Sequence, residues 1–258
     1  MSLLSWVVLF CLVGGVLSVL GAATFLLLPE KLRAQSMPHL VSFAIGALLG
    51  AAFLALLPHA LEADIDPHRI TFAVLLGLMG FFLLEKMVLW RHCHANGCQP
   101  HSIELRDHHH VSAGTLILVG DGIHNFVDGV LIAAAFLSDF HLGVVTALAV
   151  AAHELPQELG DFAVLLNSGF SRSKALLYNV LSSLTTVIGG ILAYYSMADA
   201  QAALPYVLAV AASSFIYIAV ADLIPGLHKS FHLTATVQQL VLIGSGISLI
   251  YLAHSTLH

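Results

Sequence analysis

The sequence predicts an all-α membrane protein, a bundle of eight transmembrane helices with both termini on the extracytoplasmic side. Hydrophobic residues make up 59% of the 258 residues and charged residues only 9%, whereas soluble domains carry about a quarter charged residues. Apolar stretches of roughly 20 residues, the length that crosses a bilayer, recur along the whole chain. The basic residues collect in alternate loops, as the positive-inside rule requires.

Eight helices are predicted from these apolar stretches, with polar residues and prolines between them. No Lys or Arg precedes the first stretch, as one would in a secretory signal, so we interpret it as a membrane span. Pro29, Pro38 and Pro67 are expected in or beside loops, where a proline ends a helix at little cost. The predicted spans are residues 3–28, 39–61, 70–90, 113–137, 141–167, 174–197, 203–225 and 236–257.

Orientation follows from the basic residues. Eight of the nine Lys and Arg fall in odd-numbered loops, and only Arg69 lies in an even one. The odd loops are therefore expected to be cytoplasmic. The third loop, residues 91–112, is rich in His and Cys and is predicted to be a mobile cytoplasmic segment. It is either a loose metal binder or a plain solvated loop. The rest of residues 1–258 forms a single transmembrane domain in this interpretation.

Composition also narrows the partners. The net charge is −6 and no large basic tract occurs, which excludes nucleic acid and leaves the lipid bilayer as the main surrounding. Three cysteines are too few and too scattered for a disulfide framework.

Helices four and five carry polar groups at membrane depth, in LVGDGIHNFVDGV and AAHELPQELGDF. A carboxylate near the bilayer centre costs ~3 kcal/mol on insertion scales, and neither helix has a Lys or Arg to pair with these acids. Protons or metal cations must supply the missing positive charge. The polar residues are Asp121, His124, Asn125, Asp128, His153, Glu154, Gln157, Glu158 and Asp161.

The spacing of these residues favours a metal site. His124 and Asp128 are four residues apart, as are His153 and Gln157, so each pair shares one helix face. Imidazole, carboxylate and amide groups supply mixed nitrogen and oxygen ligands, which suit zinc, iron, manganese or cadmium.

Four further polar residues are each assigned either two alternative roles or a role outside the metal site. Glu158 and Asp161 are ligands or interhelical hydrogen-bond partners, with no preference between the two. His59, at the outer end of helix two, either receives metal at the entrance or is an ordinary interfacial His. Asp121 is expected to cap helix four or face water.

Three glycines are expected to let helices four and five approach closely: Gly122, Gly129 and Gly160.

The paired motifs HNFVDG and HELPQELGDF resemble those of the ZIP family of zinc and iron transporters. The similarity is closest to the branch with HExPHExGDF in its fifth helix. It implies that the substrate is a divalent metal cation, zinc above all and otherwise iron, manganese or cadmium, and that no organic cofactor is needed. Because the basic residues place the acid-rich loop of residues 62–66 outside, transport is expected to run inward, as import. It also implies a multi-pass protein of the cell membrane (the inner membrane in a diderm bacterium), often a homodimer, that works by alternating access.

Residue by residue, the resemblance implies a binuclear site halfway across the membrane, with Asp128 bridging the two metals. The implied ligands are His124, Asn125, Asp128, His153, Glu154 and Gln157. The branch has His where this chain has Gln157, which is a neutral and weaker ligand. Metal preference and occupancy of the second site are therefore expected to depend on this position.

Three rival functions are weaker. The HExxH signature of metalloproteases uses its Glu as general base, but here Gln157 replaces the second His and Pro156 interrupts the helix, so no enzyme is predicted. A proton-coupled carrier of organic solutes usually has an intramembrane Lys or Arg, and none is present here. A passive metal channel and a carrier are not distinguished by the sequence.

Overall fold

A computed structural model describes residues 2–96, 110–197, 200–228 and 232–257. These described residues form eight long helices and no strand. The helices are α1 (Leu3–Phe25), α2 (Glu30–Glu62), α3 (Pro67–Asn96), α4 (His110–Ser138), α5 (Phe140–Asn167), α6 (Arg172–Met197), α7 (Gln201–Leu227) and α8 (Leu233–Leu257). The predicted all-α bundle is confirmed. The side of the membrane on which the termini lie stays a prediction.

Seven helices among the described residues are long and apolar enough to cross a membrane. The eighth helix, α5, is long enough to cross a membrane, but its polar stretch HELPQELGD lowers its mean hydropathy. Large apolar side chains on α3 and α8 are exposed, among them Leu76 and Leu240, as is normal where a helix faces lipid rather than protein. The chain is a multi-pass membrane protein.

Two boundaries differ from the prediction. Helix α2 begins at Glu30, so Pro38 lies inside it and not in a loop. The Ala34 carbonyl, which loses its hydrogen bond because Pro38 has no N–H, belongs to an exposed turn and can bond to water. The predicted loop of residues 91–112 is shortened, because α3 continues to Asn96 and α4 starts at His110. Its centre, residues 97–109, lies outside the described residues.

Three helices contain a wider, π-helical turn that the sequence did not predict. The turns are Val13–Leu17 in α1, Ala52–Leu56 in α2 and Ile218–Leu223 in α7. Prolines follow the second and third turns, at Pro58 and Pro225. A proline cannot bond to the carbonyl four residues before it, and a locally widened turn absorbs that gap in the hydrogen-bond ladder.

The helices pack in two groups. Helix α4 packs most extensively against α6, with α1 and α5 alongside, whereas α2 packs against α8 and α3 against α7. The largest contact between the groups joins α5 to α2. Helix α5 therefore lies at the centre of the bundle, bordered by α4 on one side and α2 on the other.

Glycine brings α4 and α6 into backbone contact. A Cβ atom at Gly129 would collide with the carbonyl group of Thr186 on α6. Gly122 also faces α6, and nothing lies within 4 Å of a Cβ at Gly160. The prediction that these glycines serve the contact between α4 and α5 is therefore wrong. Gly122 and Gly129 face α6 because the polar side chains of α4 occupy the face toward α5, which leaves the small residues for the other neighbour.

Candidate metal centre

Four potential metal ligands converge inside the bundle, two from α4 and two from α5. They are His124, Asp128, His153 and Glu154, and one donor atom of each lies within 4.8 Å of the others. Helix geometry accounts for the grouping, because residues four apart on α4 share a face and α5 crosses that face at His153. The sequence predicted all four.

The spacing of the donor atoms matches a metal ion. The two imidazole Nε2 atoms are 3.2 Å apart. The Nε2 atom of His153 is 3.2 Å from Asp128 Oδ2, and that of His124 is 3.4 Å from Glu154 Oε1. Ligands about 2.1 Å from a tetrahedral zinc ion lie about 3.4 Å from one another. These three separations are thus close to those of zinc ligands, and all four donor atoms lie within 4.8 Å of one another.

A hydrogen bond fixes the orientation of His153. Its Nδ1 atom lies 3.0 Å from the carbonyl oxygen of Ala149. Because a carbonyl oxygen only accepts, Nδ1 carries the proton and Nε2 keeps a lone pair for a cation. The ring of Phe215 packs against the imidazole, with the ring centroids 6.1 Å apart. Sequence reasoning missed this aromatic contact, which comes from α7.

The charge of the site also calls for a cation. Asp128 and Glu154 are fully buried, and their oxygens have no hydrogen-bond partner. With neutral imidazoles, these two carboxylates give the site a formal charge of −2, which one divalent cation neutralises. Among the described side chains, the only ion-pair partners of these acids are the two histidines. Burying such charges without compensation is costly, so the site fits a divalent metal.

Two predicted ligands lie beside this group. Asn125 donates from Nδ2 to Asp121 Oδ1 at 2.9 Å, and its Oδ1 accepts a hydrogen bond from the Thr186 hydroxyl at 2.8 Å. Gln157 is half-buried, one turn beyond His153. The participation of Asn125 and Gln157 in metal binding stays a prediction.

The remaining predicted residues lie outside this group. Glu158 is fully buried and Asp161 half-buried on the next turns of α5. His59 is half-buried near the end of α2. None of these three belongs to the converging group of four.

Asp121 differs from its prediction. It is only 5% exposed and lies well inside α4, so it neither caps the helix nor faces water. The Ser182 hydroxyl donates to its Oδ2 at 2.5 Å. Sequence reasoning missed Ser182 and Thr186 as partners of α4. One feature of the sequence could have indicated them: Ser182 and Thr186 are four residues apart, as are Asp121 and Asn125.

The two sides of the site differ in polarity. Toward the turn between α4 and α5, the packing is predominantly apolar. Its buried residues include Leu131, Ile132, Ala135, Leu142, Val145 and Ala149. Toward the other ends of α4 and α5, polar side chains continue from the site through Asp121 and Glu158 to Asp161. Among the described residues, the buried carboxylates beside the site therefore continue on the side of Asp121, Glu158 and Asp161.

Comparisons with known proteins found a matching family. The family model of the ZIP zinc transporters matches residues 90–254, more than half of the chain. Zinc transporter zipt-7.2 of Caenorhabditis elegans is 39% identical over 142 residues, zinc transporter ZIP4 of Homo sapiens 43% over 114, and zinc transporter foi of Drosophila melanogaster 45% over 118. These alignments cover 53, 44 and 45% of this chain and 30, 18 and 17% of the relatives.

The chain thus spans less than a third of the length of the curated relatives that it matches. All four converging ligands lie within the range that the family model covers. The motifs of α4 and α5 predicted the same family from the sequence. The chain belongs to the ZIP zinc transporter family.

Proposed function

We propose that this protein carries divalent metal cations, zinc first, across the membrane into the cytoplasm. The observation that carries the proposal is the convergence of His124, Asp128, His153 and Glu154 within a bundle of membrane-spanning helices. Mixed nitrogen and oxygen ligands without a thiolate bind zinc and similar ions. The relatives named above are zinc transporters, which supports zinc as the substrate.

The polarity of the surroundings supports import by a carrier. The polar side chains lead from the site toward the ends of α4 and α5 that the positive-inside rule assigns to the cytoplasm. The opposite side is closed by apolar packing. An ion must therefore enter through a different arrangement of helices, as alternating access requires and an open channel does not. Movement of the group around α4 and α6 relative to the group around α2 and α8 would supply that arrangement.

A second metal beside the first is part of the proposal. Asp128 Oδ1 and Glu154 Oε2, the oxygens that do not face the imidazoles, have no hydrogen-bond partner. Both are free to bridge to another ion. Asn125 would have to exchange its hydrogen bond with Thr186 for the metal, and Gln157 would complete the set. A homodimer is a further proposal, made from the family resemblance.

We do not propose an enzyme. A metalloprotease needs two histidines around its metal from one helix and a Glu free to activate water. Here the Glu154 Oε1 atom lies 3.4 Å from the imidazole of His124, where it serves as a ligand. Hydrolysis of model peptides by the zinc-loaded protein would contradict this view.

Zinc uptake into proteoliposomes tests the proposed function. The purified chain should give saturable zinc uptake that iron, manganese and cadmium inhibit to different degrees. Empty liposomes and liposomes with the His124→Ala/His153→Ala variant are the controls. Uptake no faster than in these controls would contradict the proposal.

Changing Gln157 to His tests whether this position contacts the metal. Gln157→His should strengthen zinc binding relative to manganese, because imidazole is the better zinc ligand. Zinc uptake should also become more sensitive to pH between 6 and 8, since an added imidazole titrates there and protons then compete with zinc. The measurement is zinc and manganese uptake by both proteins across this range. Identical metal ranking and pH profiles would show that position 157 does not contact the ion.

Cysteine labelling tests the direction. In a variant with Cys93 and Cys98 changed to Ser, Asp66→Cys should react with an impermeant maleimide from outside intact cells. Lys174→Cys, also at an exposed position, should react only after the cytoplasmic side is opened. The reverse pattern would invert the orientation and remove the support for import.

A further inference from the structure

A second group of acids lies on α4 and α5, beside the four converging ligands. We call Asp121, Glu158 and Asp161 the acidic cluster. Asp121 is 5% exposed and Glu158 fully buried, and Glu158 and Asp161, three residues apart, share one face of α5. The carboxylates of Asp121, Glu154 and Asp161 all act electrostatically on Glu158. The three carboxylates therefore share one buried region.

Glu158 indicates that this region takes a ligand. The sequence allows it to be either an interhelical hydrogen-bond partner or a metal ligand. In the structure neither of its oxygens has a hydrogen-bond partner, so the first role is not filled. Among the described side chains, no Lys or Arg forms an ion pair with any member of the cluster. A buried carboxylate without any partner in a native structure points to an ion or water.

Helix α6 adds an unpartnered amide about one turn from the level of Asp121. Helices α4 and α6 run parallel, with Asp121 bonded to Ser182 and Asn125 to Thr186, both pairs 61 residues apart. Asn179 lies one turn before Ser182, whose hydroxyl also donates to the Asn179 carbonyl at 3.0 Å. Asn179 is 1% exposed, and its side-chain oxygen and nitrogen both lack partners. Its amide is thus a buried group without a partner, one turn before the residue that bonds to Asp121.

We propose that the acidic cluster and Asn179 bind a divalent cation at a site of their own, next to the site formed by the two histidines. The identification of that cation as the transported one rests on the proposed function. All the ligands are oxygens, with three carboxylates and no imidazole. Such a site favours harder cations such as manganese and holds zinc less tightly than the histidine site. On the side toward the predicted cytoplasm, a weaker site would receive the ion and release it.

Manganese binding to the purified full-length chain tests this site, because the His and Cys residues elsewhere prefer softer metals. The histidine site is first removed by His124→Ala/His153→Ala, and free manganese is counted by electron paramagnetic resonance. We expect this protein still to bind manganese. Adding Glu158→Gln, or separately Asp161→Asn, should weaken the binding at least about tenfold. Glu30→Gln, which removes an exposed carboxylate on α2, should leave it unchanged.

The outcomes separate the two proposals. The site at the acidic cluster is overturned if the protein without the two histidines binds no manganese. It is also overturned if Glu158→Gln and Asp161→Asn leave manganese binding unchanged. Either result counts even if the wild-type protein takes up zinc. If manganese binding depends on Glu158 and Asp161 but the wild-type protein shows no zinc uptake, the site at the acidic cluster is supported and the proposed function is contradicted.

Discussion

Changing Asp128 to asparagine should abolish zinc uptake, with a loss of rate of at least about 100-fold. The Oδ2 atom of Asp128 lies 3.2 Å from Nε2 of His153 and 3.6 Å from Nε2 of His124, so this one carboxylate faces both imidazoles. Asparagine keeps the shape but removes the charge, and its amide is a poor zinc ligand. The measurement is initial zinc uptake into proteoliposomes.

The control for this change is Glu30→Gln, which also removes one carboxylate. Glu30 is exposed in the first turn of α2, and we expect its loss to leave uptake unchanged. Asp128→Asn should reach the membrane in normal amounts, because asparagine fills the same volume. Uptake near the wild-type rate in Asp128→Asn would remove the basis for a site bridged by this residue.

Changing Gly129 to alanine should lower the stability of the bundle by about 3 kcal/mol. The added methyl group would overlap the carbonyl group of Thr186 and lie 2.8 Å from the backbone nitrogen of Gly190. Neither group can rotate away, so α4 and α6 must separate. Separation would also strain the hydrogen bond between Thr186 and Asn125. The measurement is the midpoint of thermal unfolding of the purified protein in detergent.

Gly160→Ala is the matched control on α5. Nothing lies within 4 Å of a Cβ atom there, and alanine favours a helix over glycine by up to about 1 kcal/mol. We therefore expect an unchanged or slightly higher midpoint. Equal shifts in the two variants would show that the contact between α4 and α6 does not depend on Gly129.

Apolar run length and charge placement were enough to predict the helices, because the bilayer imposes one length on every span. Local departures were not predictable in the same way. Pro38 lies within a helix because this turn of the helix extends into solvent. The length of an apolar stretch does not show how far a helix continues beyond it. The π-helical turns of α2 and α7 depend on how the chain accommodates Pro58 and Pro225. Which neighbour Gly129 contacts is a property of the packed bundle.

The converging ligands were predictable because spacing along α4 and α5 determines which side chains share a face. His124 and Asp128 satisfy that rule without any knowledge of packing. Asn125 shows where this spacing rule fails. It directly follows His124, but its side chain points toward α6 and bonds to Thr186. The sequence alone also did not show that Asp121 is buried, because its partner Ser182 is 61 residues away.

Anomalous diffraction at the zinc edge, from crystals of the full-length protein soaked in zinc, tests the central claim most directly. We predict a zinc ion within about 2.0–2.2 Å of Nε2 of His124, Nε2 of His153 and an oxygen of Asp128, with Glu154 as the fourth ligand. The ion should disappear from this position in His124→Ala/His153→Ala. Zinc bound only elsewhere, for example in the loop of residues 91–112, with none between α4 and α5, would contradict the account.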